Sequence, residues 1–397
     1  MSFCPCAITF SVPRPKTLCE MKLSHEIFKA IYFNDLNRLQ EIFINYNLYT
    51  WNILDNHGLA PIHYAAHRGS LEIAIWLLGE GSKVNYGQFE QQNSPLHLAA
   101  INGHIEVCKL LLKSGAMRSV TNYLDRTPAQ MAADHGHFEC ATFINNYVPR
   151  EEVTYYTLPE FTGSEPKLPP ALAELFYKFV TMTNIHPVKV VFELPPVFLV
   201  NGNALKIVEV LHLMSRRIFI KKEEHTSTKE MLSFKFHYLA TILFELAEPN
   251  DNTSQTDPKA VFIQKISKSN NYLEQFLHDC IVKFSFKDST LFRRMVSYMT
   301  QGMDSMPHLD IILLVVGNKY ARSVQSTNIL PIICGACEEI NASKKCPKCK
   351  TVQYCNSECL HIHAAMHKKK CKQIREDNNV SNETSILDKC LSKLRIK

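Results

Sequence analysis

The chain lacks the short signatures of nucleotide-dependent and acyl-transfer enzymes. No GxxxxGK[ST], GxSxG or GxGxxG occurs in its 397 residues. His25-Glu26 opens like a metalloprotease helix, but Lys29 stands where the second histidine is required. Acids and histidines are numerous without gathering at general acid–base spacing, and His212, His225, His237 and His278 are scattered through helical patterns. Long apolar runs are missing too. The longest, Ile311–Val316, falls far short of the roughly 20 residues a bilayer demands, so no transmembrane segment is expected. No charged segment precedes Cys4-Pro5-Cys6, and Pro13 and Pro15 interrupt any apolar stretch. No secretory signal is therefore read; residues 1–23 are expected to be a disordered tail, and Met21 is an alternative start.

What the chain does have is concentrated near its end. Cys334, Cys337, Cys346, Cys349, Cys355, Cys359, His367 and Cys371 follow the spacing C-x2-C-x8-C-x2-C-x5-C-x3-C-x7-H-x3-C and take up half of the 14 cysteines. Eight such donors are enough to close two tetrahedral zinc sites. Closed sites leave no position for a water nucleophile, so they point to a binding module. A segment this short cannot bury enough apolar surface to order itself, and metal supplies the difference, about 10–16 kcal/mol per structural zinc. Seven thiolates and a neutral histidine around two divalent ions sum to −3. From Cys334 to Glu376 nine Lys or Arg face four acids, a formal +5, which roughly offsets that excess. The whole chain is only +6, leaving about +1 elsewhere, so no broad basic face for nucleic acid is present.

The ligand order resembles the MYND zinc finger, and Tyr354-Cys355 and the register of His363, His367, Lys368 and Cys371 match it. The resemblance implies interleaved pairs. One zinc takes Cys334, Cys337, Cys355 and Cys359; the other takes Cys346, Cys349, His367 and Cys371. It also implies a module that binds short, often proline-containing peptides. Two positions depart from the family: Ala364 replaces a common tryptophan, and Leu360 replaces a frequent glutamine. His361 and His363 are expected to be packing residues rather than ligands, because H-x3-C selects His367.

A second signal lies at the other end. Pro61, Pro95 and Pro128 are spaced by 34 and 33 residues, and Gly69, Gly103 and Gly136 keep step. Ala60-Pro61-Ile62-His63-Tyr64-Ala65-Ala66, Ser94-Pro95-Leu96-His97-Leu98-Ala99-Ala100 and Thr127-Pro128-Ala129-Gln130-Met131-Ala132-Ala133 follow the ankyrin pattern T-P-L-H-x-A. Proline suits the first helical turn, the paired alanines permit close helix approach, and the glycine permits the turn into the second helix. A degraded first repeat is expected from Ser24 to Asn47, with Asn34 for the turn glycine, making about four repeats over 24–148. His63 and His97 are read as members of the turn network. Partner contacts in such arrays fall on hairpin tips and concave helix faces, which nominates Tyr86, Gln88, Phe89, Asn122, Tyr123 and Asp125.

Between the two ends, Pro149, Pro159, Pro166, Pro169 and Pro170 indicate a linker over 149–170. From 171 to 330 apolar periodicity predicts a helical domain. Its helices are expected over Ala171–Thr183, Asn203–Lys222, Thr228–Glu248, Asp257–Phe284, Ser289–Gly302 and Pro307–Val324, with Val188–Leu194 as a lone strand. The finger spans 334–371, and a polar tail covers 372–397. The fold expected is mainly α: an ankyrin-repeat solenoid, a helical middle domain and a small two-zinc finger.

The junction adds a closer likeness. Arg126–Ala133, Ile144–Tyr147, Pro149–Glu151, Tyr155-Tyr156, Glu165–Pro170 and Thr183–Lys189 resemble the ankyrin repeat and MYND domain-containing protein 2 family. That resemblance implies a non-enzymatic cytoplasmic, cilium-associated adaptor that delivers membrane signalling proteins, such as nucleotide cyclases, to cilia, with an immunophilin-type co-chaperone on the finger. The competing readings are a nuclear corepressor-type regulator and a methyltransferase-associated MYND protein. No nuclear-localisation run stands out beyond Lys368-Lys369-Lys370, and the glycine motif of a methyltransferase is missing. Cys108, Cys140 and Cys280 among helices fit a reducing compartment.

Overall fold

The computed structural model describes residues 18–46, 53–55, 57–85, 93–158, 166–220, 226–247, 257–268, 270–300, 306–316, 332–339, 342–364, 367–368 and 371–374. The fold is mainly helical, as expected, and divides into two compact units, Met1–Cys140 and Ala141–Lys397.

The first unit is a stack of helix pairs: α1 Leu18–Tyr32 and α2 Leu36–Asn45, α3 Pro61–Arg68 and α4 Leu71–Gly79, α5 Pro95–Ile101 and α6 Ile105–Lys113, then α7 Pro128–Asp134 and α8 Phe138–Asn146. The first pair begins at Leu18, so residues 18–23, assigned above to a disordered tail, form the first turns of α1. Its turn residue Asn34 sits at φ +55°, the left-handed geometry that glycine supplies in the later repeats.

Each inner helix opens on the same local device. His63 Nδ1 accepts the Ala60 N–H and His97 Nδ1 accepts the Ser94 N–H, both at 3.1 Å. Gln130 Oε1 does the same for the Thr127 N–H at 2.9 Å, while Thr127 Oγ1 accepts the Gln130 N–H. His97 Nε2 lies 3.0 Å from the Arg126 carbonyl, coupling one repeat to the next hairpin. Because Nδ1 is an acceptor, Nε2 must carry the proton. Burial holds the His97 imidazole down to about 4, so the ring is neutral. The alanine pairs 65/66 and 99/100 are fully buried, as are Ile62, Leu77, Leu96 and Leu111.

The division between units falls inside α8, so Asn146 and Val148 belong to the second unit. There α9 Arg150–Thr157 occupies the first part of the expected linker. Pro149 precedes its first turn, where a missing N–H costs nothing, and no proline follows until Pro159. Val153, Tyr156 and Leu168 join the main core, so the helical unit begins well before 171.

The remaining helices are α10 Ala173–Thr181, α11 Pro187–Glu193, α12 Asn203–Ile220, α13 Thr226–Ala247, α14 Pro258–Lys268, α15 Asn270–Val282, α16 Thr290–Thr300 and α17 His308–Val315. α12 and α13 pack along their length, joined by Ser215 Oγ donating to the Ser233 carbonyl at 2.8 Å. Two expectations fail here. Asp257–Phe284 is two helices, not one. Val188–Leu194 is helical, not a strand: Pro187 occupies the first turn and His186 Nδ1 caps the Val188 N–H. A valine-rich run buried on more than one side carries no period that separates strand from helix. The part of Pro307–Val324 beyond 316, and nearly all of the polar tail, lie outside the described residues.

Candidate metal centre

The eight donors gather into two groups in the second unit. Cys334, Cys337, Cys355 and Cys359 form one; Cys346, Cys349, His367 and Cys371 form the other; within each, the ligand atoms lie within 4.8 Å of one another. Seven of the eight residues are buried and Cys355 is half-buried.

Local backbone chemistry builds both groups the same way. After each CxxC pair the next residue takes a left-handed conformation, Glu338 at φ +57° and Lys350 at φ +58°. Its N–H returns to the first cysteine's carbonyl, Glu338 to Cys334 and Lys350 to Cys346, each at 3.0 Å. This winding aims two sulfurs at one point. The second pair sits in the connection of a small hairpin of β1 Lys344–Lys345 and β2 Gln353–Tyr354, with Lys344 opposite Tyr354 and Lys345 opposite Gln353. Helical residues 357–364 then carry Cys359 into the first group.

The spacing of donors fits zinc. With a Zn–S bond of about 2.3 Å, tetrahedral ligands stand about 3.8 Å apart. Cys337 and Cys355 sulfurs are 3.6 Å apart, Cys359 and Cys337 3.8 Å, and Cys346 and Cys371 3.9 Å. Cys349 Sγ lies 3.3 Å from His367 Nε2, which identifies that nitrogen as the donor. Two structural zinc ions are consistent with this donor set. The Cys334 thiol, close to Cys337 and to the N–H groups of Ala336, Cys337 and Cys355, is drawn down while Cys337 beside it is pushed up, as two sulfurs in hydrogen-bond contact share one proton. Burial, and then the charge of the surrounding cysteines, pushes the Tyr354 hydroxyl up to about 12.

The neighbouring histidines have other partners. His363 Nδ1 is 3.0 Å from the Tyr354 hydroxyl, and its ring stacks on His367. His361 Nδ1 is 2.7 Å from the Ser357 carbonyl. Beside the second group is a hollow of about 620 Å³, floored by Pro347, Tyr354, Leu360 and Ala364 and rimmed by Lys348 and Lys368.

In the first unit, Asn122 departs from its nomination as a contact residue. It is 4% exposed and organises the hairpin from within, donating to Asn93 Oδ1 at 3.0 Å and accepting the Leu124 and Arg126 N–H groups. Its amide is consumed by backbone that no helix satisfies. Tyr123 is 60% exposed at the same tip, and Asp125 takes φ +55°. Tyr86, Gln88 and Phe89 lie outside the described residues.

The fold and these donors define a class: an ankyrin-repeat protein carrying a two-metal finger. Comparison with known proteins agrees. The family description "Ankyrin repeats (3 copies)" matches residues 27–123 and 87–152, and "MYND finger" matches 334–371. Dauer abnormal formation protein 25 of Caenorhabditis elegans, a protein of the same ankyrin/MYND kind, is 26% identical over 345 residues, 82% of this chain and 85% of that protein. Shorter likenesses include the probable E3 ubiquitin-protein ligase XBOS32 of Oryza sativa subsp. japonica, 41% identical over 76 residues, 19% of this chain and 15% of the relative. SH3 and multiple ankyrin repeat domains protein 2 of Homo sapiens is 29% identical over 119 residues, 30% of this chain and 6% of that protein. Both modules are interaction modules, not catalytic ones, and together they support a protein-interaction adaptor. Among the described residues no helix is long and apolar enough to cross a membrane.

Sequence reasoning missed the residues that hold the finger in place. Asn184, Val188, Lys189 and Phe192 of the helical unit all touch it. For Asn184, Val188 and Lys189 the signal was the family-like run Thr183–Lys189, which lies outside both modules; Phe192 follows that run.

Proposed function

We propose that this chain is a trafficking adaptor that delivers membrane signalling proteins, nucleotide cyclases among them, to cilia. In this reading the ankyrin repeats hold the cargo and the finger recruits an immunophilin-type co-chaperone. The reading also takes the chain to be cytoplasmic and cilium-associated. The observation that carries it is the presence, in one chain, of two interaction modules at opposite ends of the sequence, one of them closed by metal. The family-like junction from Asp125 to Lys189, and a worm relative of the same kind along most of both chains, support extending that likeness beyond the modules. Exposed Tyr123, together with Tyr86, Gln88, Phe89 and Asp125, is assigned to the cargo surface.

Proximity labelling in a ciliated cell, comparing wild type with Cys346→Ser, tests the proposal. Membrane signalling proteins are expected among the wild-type neighbours, and co-chaperone labelling is expected to fall in the variant. A fluorescent fusion confined to the nucleus, with chromatin proteins as the enriched neighbours, would replace the adaptor with a corepressor.

A further inference from the structure

The two metal groups are chemically similar, yet their surroundings differ. The first faces the helical unit. Asn184 Nδ2 donates to the carbonyl of Cys337, itself a ligand residue, at 3.2 Å, and to Glu339 Oε2 at 2.8 Å. Lys189 Nζ stands 3.6 Å from the same carboxylate. Val188 of α11 is buried in the finger's own core, and Phe192 packs against it, while Val190 and Val191 belong to the core of the helical unit. α11 thus divides its valines between two cores.

The segment before α11 is clamped from the opposite side by α13. Lys235 Nζ donates to the Met182 carbonyl at 2.7 Å and Tyr238 Oη to the Ile185 carbonyl at 2.9 Å. Both side chains are fully buried. Asn184 therefore sits between two pinned carbonyls, and its own Oδ1 is occupied by the His186 N–H at 3.0 Å. α14 adds Ser267 Oγ, donating to the Ile362 carbonyl at 3.3 Å in the finger helix that carries Cys359. The second group opens on the hollow that its own Cys346, His367 and Cys371 line together with Pro347, Leu360 and Ala364.

We propose that the first metal group is the finger's dock on the helical unit, held by Asn184, Lys189 and α11. Two consequences follow from the geometry. Metal in the first group orders the segment from Met182 to Glu193, because the Cys337 carbonyl and Glu339 are placed by the Cys334–Cys337 winding. The helical unit in return slows metal loss from that group.

The proposal rests on the two-zinc reading, so zinc content of the full-length chain is measured beforehand. A chain without zinc overturns that reading, whereas a two-zinc chain that fails the next step overturns the dock alone. The zinc-loaded chain is challenged with a chelator and a maleimide, and labelled cysteines are mapped by mass spectrometry with time. In Asn184→Ala, Cys334, Cys337, Cys355 and Cys359 are expected to label about tenfold faster than in wild type, as befits loss of two hydrogen bonds worth about a factor of ten together. Cys346, Cys349 and Cys371 should keep their wild-type rates. Lys189→Ala, which loses the 3.6 Å contact to Glu339 along with a 2.8 Å pair to Glu193 inside α11, should give a smaller acceleration of the same set and serves if Asn184→Ala does not fold. Equal acceleration of both sets, or none in either variant, overturns the dock. Amide exchange supplies the reverse reading: stripping zinc from wild type should raise exchange across 184–193 at least tenfold while Ile62–Leu77 is unchanged, and constant protection of 184–193 would also overturn it.

Discussion

Replacing Lys235 with methionine should remove a pH dependence that this side chain gives to the stability of the helical unit. The Lys235 side chain is 0% exposed, and among the described residues its partners are Asn146 Oδ1 at 2.9 Å and the Met182 carbonyl at 2.7 Å, with no carboxylate paired to it. Burial drags its pKa from 10.5 to about 7. The folded pKa lies below the unfolded one, so the unfolded chain binds more protons between those values and wild-type stability rises with pH across that window. At about 1.4 kcal/mol per pH unit, charge burial costs wild type about 4 kcal/mol at pH 7 and less than about 1 kcal/mol at pH 10. Methionine has similar length and no charge. It removes this cost but leaves two buried acceptors without donors, at about 1–3 kcal/mol each. Wild type and Lys235→Met should therefore be nearly equal in stability at pH 7, and wild type should lead by about 3–4 kcal/mol at pH 10. Urea titrations of the full chain followed by circular dichroism at pH 7, 8, 9 and 10 measure the difference. Titration of the finger thiols occurs in both proteins and cancels. Curves that stay parallel within about 1 kcal/mol over that range would refute the reasoning, since they would mean that the buried amine keeps its proton across it just as the unfolded one does.

Further outcomes follow from other sites. Gly103→Ala should destabilise the repeats by at least about 2 kcal/mol, because the residue sits at φ +71° and a Cβ would collide with the His137 ring; a urea midpoint within error of wild type would contradict this. Glu230→Ala should cost about 2–3 kcal/mol in the same assay. The carboxylate is 3% exposed and accepts from Thr290 Oγ1 at 2.6 Å and from the Leu291 N–H at 2.9 Å, so its loss leaves the first turn of α16 uncapped. Chelation at neutral pH should release two zinc ions per chain and expose the seven finger thiols to Ellman's reagent while the far-ultraviolet signal of the repeats persists; a thiol count that does not rise would count against closed zinc sites. Alanine at Tyr86, Phe89 and Tyr123 together should weaken cargo capture without shifting the thermal midpoint, and unchanged capture would remove that surface from consideration.

Much of the molecule was legible in the chain because it is governed by near neighbours. A CxxC pair followed by a residue able to turn left-handed winds itself, so spacing alone picked out the eight side chains that gather into the two groups. The repeat helices open on a capping device three residues long, and Gln130 keeps that device where histidine is absent. Asn122 was misjudged because a hairpin tip was equated with solvent, although its amide is used to satisfy the turn's own N–H groups. The α11 valines were misread because burial in two cores removes the polar face that betrays a helix. α9 was hidden by flanking prolines, one of which starts the helix rather than breaking it.

Composition and period by themselves determined that the chain would be mainly helical, built from stacked repeats and closed by a metal-ordered finger, since ligand spacing and helix capping act over a few residues. Only the tertiary structure decided that Lys235 lies without a counter-charge in the core, and that the finger's first metal group is braced by Asn184, 153 residues before Cys337. No local pattern encodes such contacts, because they exist only once two distant segments have each folded and found one another's unsatisfied carbonyls and carboxylates.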